Sequence, residues 1–108
     1  MREKEIEQYL VRRVKQEQGI PFKFNSEGNA GVPDRLLLFP YGISCFVELK
    51  APGKKSRKIQ TYQQNRIRQL GYTVFADVDS KSKVDAILNW YYTCRYFHIR
   101  KKGEHRGI

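Results

Sequence analysis

The sequence predicts a small α/β domain, a mixed sheet of four or five strands covered by helices. Apolar residues recur with helical spacing near the start, in the middle and toward the end of the chain. Between those stretches lie short runs of β-branched, aromatic and aliphatic residues bounded by Gly, Pro and Asn. One strand–helix–strand succession also calls for a right-handed crossover, which brings two strands parallel. At 108 residues, 40% of them hydrophobic, the chain is sized for a single domain with one modest core.

The first element is a helix over Arg2–Gln18, ended by Gly19. Glu3, Ile6, Glu7, Leu10, Val11 and Val14 share one face of it. That stripe is apolar except for two acids near its start, and Glu7, with three apolar neighbours, needs a partner if it is to be covered. Ile20–Asn25 reads as a short strand with Phe22 and Phe24 on one face. Ser26–Val32 is a loop rich in Gly and small polar residues, where a phosphate backbone could approach closely.

Two strands follow, Arg35–Phe39 and Ile43–Leu49, joined through Pro40, Tyr41 and Gly42. Side chains alternate across a strand, so Glu48 and Lys50 share a face while Val47 and Leu49 take the other. An antiparallel hairpin brings Asp34, just after Pro33, beside Glu48 and Lys50 at one end of the sheet. Two carboxylates and an ammonium in that arrangement can hold a hard divalent metal, for Mg2+ takes oxygen ligands and keeps several waters. The same residues also fit a plain reading: a solvated ion pair and a turn-forming acid.

Ala51–Lys55 is a turn, Ser56 a candidate cap, and Arg57–Leu70 a helix stopped by Gly71. Its expected apolar stripe is Ile59, Tyr62, Ile67 and Leu70. Gln60, near the first turn, faces back toward Lys50. Tyr72–Val78 is a strand, with Asp77 and Asp79 explained by turn chemistry. A helix capped by Ser80 or Ser82 carries Val84, Ile87, Leu88 and Tyr91. Cys94–Ile99 reads as a final edge strand and Arg100–Ile108 as a loose basic tail.

Charge narrows the partner. The net charge is +10, from 21 Lys and Arg against 11 Asp and Glu. An excess of this size points first to nucleic acid. Lys50, Lys54, Lys55, Arg57 and Lys58 stand within residues 49–59 with no acid among them, directly after the proposed site. Lys54, Lys55, Arg57 and Lys58 are the main candidate DNA contacts, together with Asn29 of the glycine-rich loop and Arg35. No apolar run has the length of a membrane span and no secretory leader is evident, so a soluble cytoplasmic protein is expected. Cys45 and Cys94 form no disulfide framework, and with His98 and His105 they match no zinc pattern.

GVPD at 31–34 followed by FVELKAPG at 46–53 resembles the active-site hairpin of the PD-(D/E)xK nucleases, and more closely the virus-type replication-repair nuclease domain (VRR-NUC). The resemblance runs from about Glu3 to Leu88. It implies a restriction-endonuclease-like core in the order αβββαβ. It also implies a Mg2+ or Mn2+ site built from Asp34, Glu48, the Leu49 carbonyl and a first-helix Glu, here Glu7 in preference to Glu3. Lys50 then serves water activation, and Gln60 followed by Gly71 matches a further part of the family's signature. The implied activity is DNA phosphodiester hydrolysis leaving a 5′-phosphate. Relatives of this size suggest a homodimer that resolves four-way junctions. A flap- or nick-directed nuclease, a restriction-type nuclease and a basic DNA-binding module without catalysis are the alternatives.

Overall fold

A computed structural model describes residues 1–106. The elements are α1 (Glu3–Gln16), β1 (Ile20–Lys23), β2 (Arg35–Leu38), β3 (Ser44–Leu49), α2 (Lys58–Gln69), β4 (Val74–Val78) and α3 (Lys81–Arg106), with a 3-10 turn at Pro40–Gly42 between β2 and β3. The sheet order is β1-β2-β3-β4. The first two pairings are antiparallel and β3 pairs with β4 in parallel, so the crossover through α2 forms as expected.

The register divides the sheet into two unlike faces. Arg35 pairs with Val47 and Leu37 with Cys45, and these side chains point to the face that α1 and α3 cover. Ile6, Leu10 and Val14 of α1 meet Val84, Ile87, Leu88 and Tyr91 of α3 over Leu37, Phe39, Val47 and Val78. Gly19 lets the chain leave α1 tightly: a Cβ there would lie 2.8 Å from Val14 Cγ1 and 2.9 Å from the Leu38 carbonyl oxygen. The other face carries Leu36 opposite Phe46 and Leu38 opposite Ser44. There Ile20, Phe22 and Leu38 remain exposed, because α2 covers only the half nearest β4.

Two expectations about the helices change. The helix α2 does not bury an apolar stripe; Ile59, Tyr62 and Leu70 are exposed, and its buried residues are Gln60, Gln63 and Gln64. The reason is what lies beneath it. Gln63 Nε2 donates to the Ala30 carbonyl (3.1 Å), Gln64 Nε2 to Ser56 Oγ (2.9 Å), and Gln60 receives Lys50. Buried polar groups need partners, and amide side chains supply them where leucines could not.

The expected edge strand Cys94–Ile99 is helical, part of α3. No Gly or Pro interrupts 81–102, and the helix is held along α1. Tyr91 stacks on Phe39 with centroids 4.2 Å apart, Tyr92 Oη donates to Glu17 (3.0 Å), and Arg95 pairs with Glu17 at 3.6 Å. Residues 100–106, expected to be loose, extend the same helix, and residues 107–108 of that tail lie outside the described residues. Of the C-terminal aromatics, Tyr91 is buried and Trp90 packs edge-on against Phe75, while Tyr96 and Phe97 are exposed. Among the described residues no helix is long and apolar enough to cross a membrane.

Candidate active site

The site lies where the hairpin β2–β3 ends. The loop before β2 reaches it through Gly31, whose φ is +85° and whose missing Cβ would otherwise fall 2.8 Å from the Ile59 carbonyl oxygen. Only glycine accepts both the conformation and the approach. Pro33 is buried beside it, and Asp34 emerges with its side chain exposed. Asp34 Oδ2 accepts a hydrogen bond from the Leu49 N–H at 2.7 Å, which ties the first acid to the strand bearing the second.

Glu48 is 1% exposed, and its Oε1 has no hydrogen-bond partner. A buried carboxylate in that condition resists ionisation. Its pKa is pushed up to about 9, chiefly by burial and then by hydrogen bonding and charge from Asp34; Lys50 pulls the other way and Glu3 adds to the rise. A buried carboxyl with an orphaned oxygen, set beside a second carboxylate, fits a divalent cation. A Mg2+-type ion is commonly held by one or two carboxylates with waters and phosphate oxygens completing the shell. The residues present fit such an ion: Asp34 and Glu48, with Leu49 lining the same cleft as Asp34.

Lys50 is half-buried, and its Nζ donates to Gln60 Oε1 at 2.7 Å. The same oxygen accepts the Arg57 N–H at 2.8 Å, so Gln60 caps the start of α2 and holds the ammonium at once. The solvent-facing alternative for Gln60 does not occur.

Glu7 is placed differently from the expectation. Its Oε2 pairs with Arg35 Nη2 at 3.0 Å, and among the described residues no three acidic, His or Cys side chains converge as a metal-binding group. Glu7 and Glu3 line the cleft at the sheet end that also contains Asp34 and Leu49, with Lys4, Lys23 and Phe24. Arg35 is buried, occupied by Glu7 and by the Pro21 carbonyl at 2.8 Å, so it offers no free face to a phosphate. The arginine's direction follows from register: the position pairs with Val47 on the core face, and an acid on α1 neutralises it there.

Lys54, Lys55, Arg57 and Lys58 are all exposed. Asn29 is exposed too, with its Nδ2 bonded to Ser26 Oγ (2.9 Å) and the Glu27 carbonyl (3.3 Å) inside the loop.

Asp77 has a part that turn chemistry did not foretell. Val47 pairs with Phe75 but Leu49 with Val78, so β4 carries one extra residue, and Asp77 there adopts a left-handed φ of +53°. A bulge re-aims a side chain. Asp77 Oδ1 accepts both the N–H and the Oγ–H of Ser56, each at 2.7 Å. Asp79 adds a bond from the Gly53 N–H (3.1 Å), and its pKa is held low by Lys83 and that N–H. Together the two acids pin both ends of the basic turn and fix where α2 presents Gln60. An acid in a strand otherwise reading YTVFADV was the available signal.

Comparison with known proteins agrees with this architecture. No family model matches the chain. The protein named "Putative nuclease p44" of Acyrthosiphon pisum secondary endosymbiont phage 1 is 46% identical over 74 residues, which span 68% of this chain and 80% of that one. A solved structure described as a VRR_NUC domain superposes with a TM-score of 0.76 at 32% identity, covering 83% of this chain and 97% of its own.

Proposed function

Because the chain belongs to the VRR-NUC nuclease family, we propose that it is a Mg2+- or Mn2+-dependent DNA endonuclease that cuts branched DNA, four-way junctions foremost, as a homodimer. One observation carries the catalytic reading: Asp34, Glu48, Lys50 and Gln60 meet at one sheet end, with the orphaned Glu48 oxygen among them.

Asp34, Glu48 and the Leu49 carbonyl are the groups that would hold the ion. Glu7 and Glu3 line the same cleft as Asp34. When bound, the ion supplies a water of lowered pKa and neutralises charge on the phosphate under attack.

The remaining work falls to the chain's own residues. The Leu49 N–H keeps the Asp34 carboxylate aimed along the cleft. Gln60 holds the Lys50 ammonium at the site, where a compact cation offsets the charge that develops on the phosphate. Exposed Lys54, Lys55, Arg57 and Lys58 neutralise the backbone on either side, sequence-independently.

The dimer has support in the uncovered sheet face, where Ile20, Phe22 and Leu38 are exposed side by side. A two-fold pair of identical sites delivers the two symmetric cuts that a four-way junction needs. Sedimentation at micromolar concentration and cleavage mapping on an immobile junction, with Mg2+ and with EDTA, test this reading. Paired cuts by a dimer that stop in EDTA are expected. Persistence in EDTA refutes the metal, and a monomer making single cuts refutes the junction assignment.

A further inference from the structure

A second cleft adjoins the carboxylates. It opens between the loop that precedes β2, the sheet and the second half of α2, encloses about 360 Å3, and is largely apolar. Phe24 and Phe46 form one wall, ring centroids 5.4 Å apart and edge to face. Leu70, 78% exposed, forms the other. Arg66, Asn29 and Gln63 supply polar groups around it.

We infer that this cleft takes one unstacked nucleobase of the DNA that the carboxylate site cuts; the inference rests on the nuclease reading and names a substrate feature of the same site. Position argues for it first. Phe24 belongs to both clefts, and its N–H donates to the Asp34 carbonyl at 2.8 Å. Phe46 and Glu48 stand two residues apart on β3 and so on the same face, roughly 7 Å along the strand. A phosphate at Asp34 and Glu48 therefore leaves an attached base within reach of the rings.

Chemistry argues second. A base has two apolar faces and a hydrogen-bonding rim, which match aromatic walls ringed by amides and an arginine. The +10 chain draws the polyanion to the surface in which this cleft opens. Ile20 and Leu38 of the exposed patch pair at the opposite end of β1 and β2, while Phe22 stands between them and Phe24 of the cleft.

The test is metal-free binding, read by fluorescence anisotropy, of two duplexes of equal length, one fully paired and one carrying unpaired 2-aminopurine. EDTA is present, so cutting plays no part. The unpaired duplex is expected to bind more tightly, with a change in 2-aminopurine emission. Phe46→Leu should weaken that binding about tenfold, because it removes the ring that lines this cleft and not the carboxylate cleft. Leu70→Ala, at an exposed position that folding tolerates, should weaken it about threefold. Both should leave the paired duplex within about twofold. Equal losses on both duplexes, or none on either, overturn the inference while the nuclease reading stands. A change of sedimenting mass in Leu70→Ala also overturns it, in favour of a second copy in the cleft. Failure of the wild-type protein to bind either duplex overturns both.

Discussion

Glu48→Gln should make the metal-free protein more stable while abolishing cleavage. The Glu48 carboxyl is buried with one oxygen unpartnered, and its pKa rises from 4.5 to about 9 on folding. A carboxyl whose folded pKa is raised favours the folded state while protonated. That contribution is fully present below pH 4.5 and is lost as pH climbs through about 9. At pH 8 the chain has moved about 3.5 pH units into the window, on the order of 5 kcal/mol at about 1.36 kcal/mol per unit. The amide has the same shape and no charge, and its NH2 can donate to the neighbouring Asp34 carboxylate. Chemical denaturation in EDTA between pH 5 and 9 reads the effect. Wild-type stability should fall across that range, the variant's should stay level, and the two curves should separate most at high pH. Added Mg2+ should stabilise the wild type at pH 8 and leave the variant unchanged. A variant that is less stable than the wild type at pH 8, or that keeps the wild-type slope, would refute the account of Glu48 as a carboxylate kept at a cost for an ion.

Asp77→Ala should cost about 2–3 kcal/mol by removing the carboxylate that accepts two hydrogen bonds from Ser56. It should lower kcat more than DNA affinity, with Asp77→Asn restoring part of kcat; equal falls in kcat and affinity would count against a positioning role. Gln60→Leu releases the Lys50 ammonium and should reduce single-turnover cleavage by about tenfold or more at unchanged binding. Full activity in that variant would remove Gln60 from the site. DNA affinity should fall with salt at a log–log slope of roughly −4, and neutralising Lys54, Lys55 and Lys58 together should flatten it by about 3; a slope near zero would exclude backbone contact by these lysines. Ca2+ in place of Mg2+ should permit binding and suppress cutting, measured as uncut complex on a gel.

Much of this protein is legible in its sequence, for local reasons. Alternation puts Glu48 and Lys50 on one strand face, and hairpin pairing brings Asp34 beside them. Helical spacing marks Ile6, Leu10 and Val14 as core, and all three are buried. Those rules depend on backbone periodicity, which a sequence displays. What tertiary structure decided was the company each polar side chain keeps. Helix α2 buries glutamines because it lies over the charged end of the sheet, a matter of docking that its own periodicity cannot express. Glu7 meets Arg35 because register turned the arginine to the core face. Asp77 reaches Ser56 because one extra residue in β4 re-aims it, and a bulge shows only against the partner strand. The stretch 94–99 stays helical in a helix anchored by distant partners, Phe39 under Tyr91 and Glu17, at the end of α1 and some 75 residues away in sequence, for Tyr92 and Arg95.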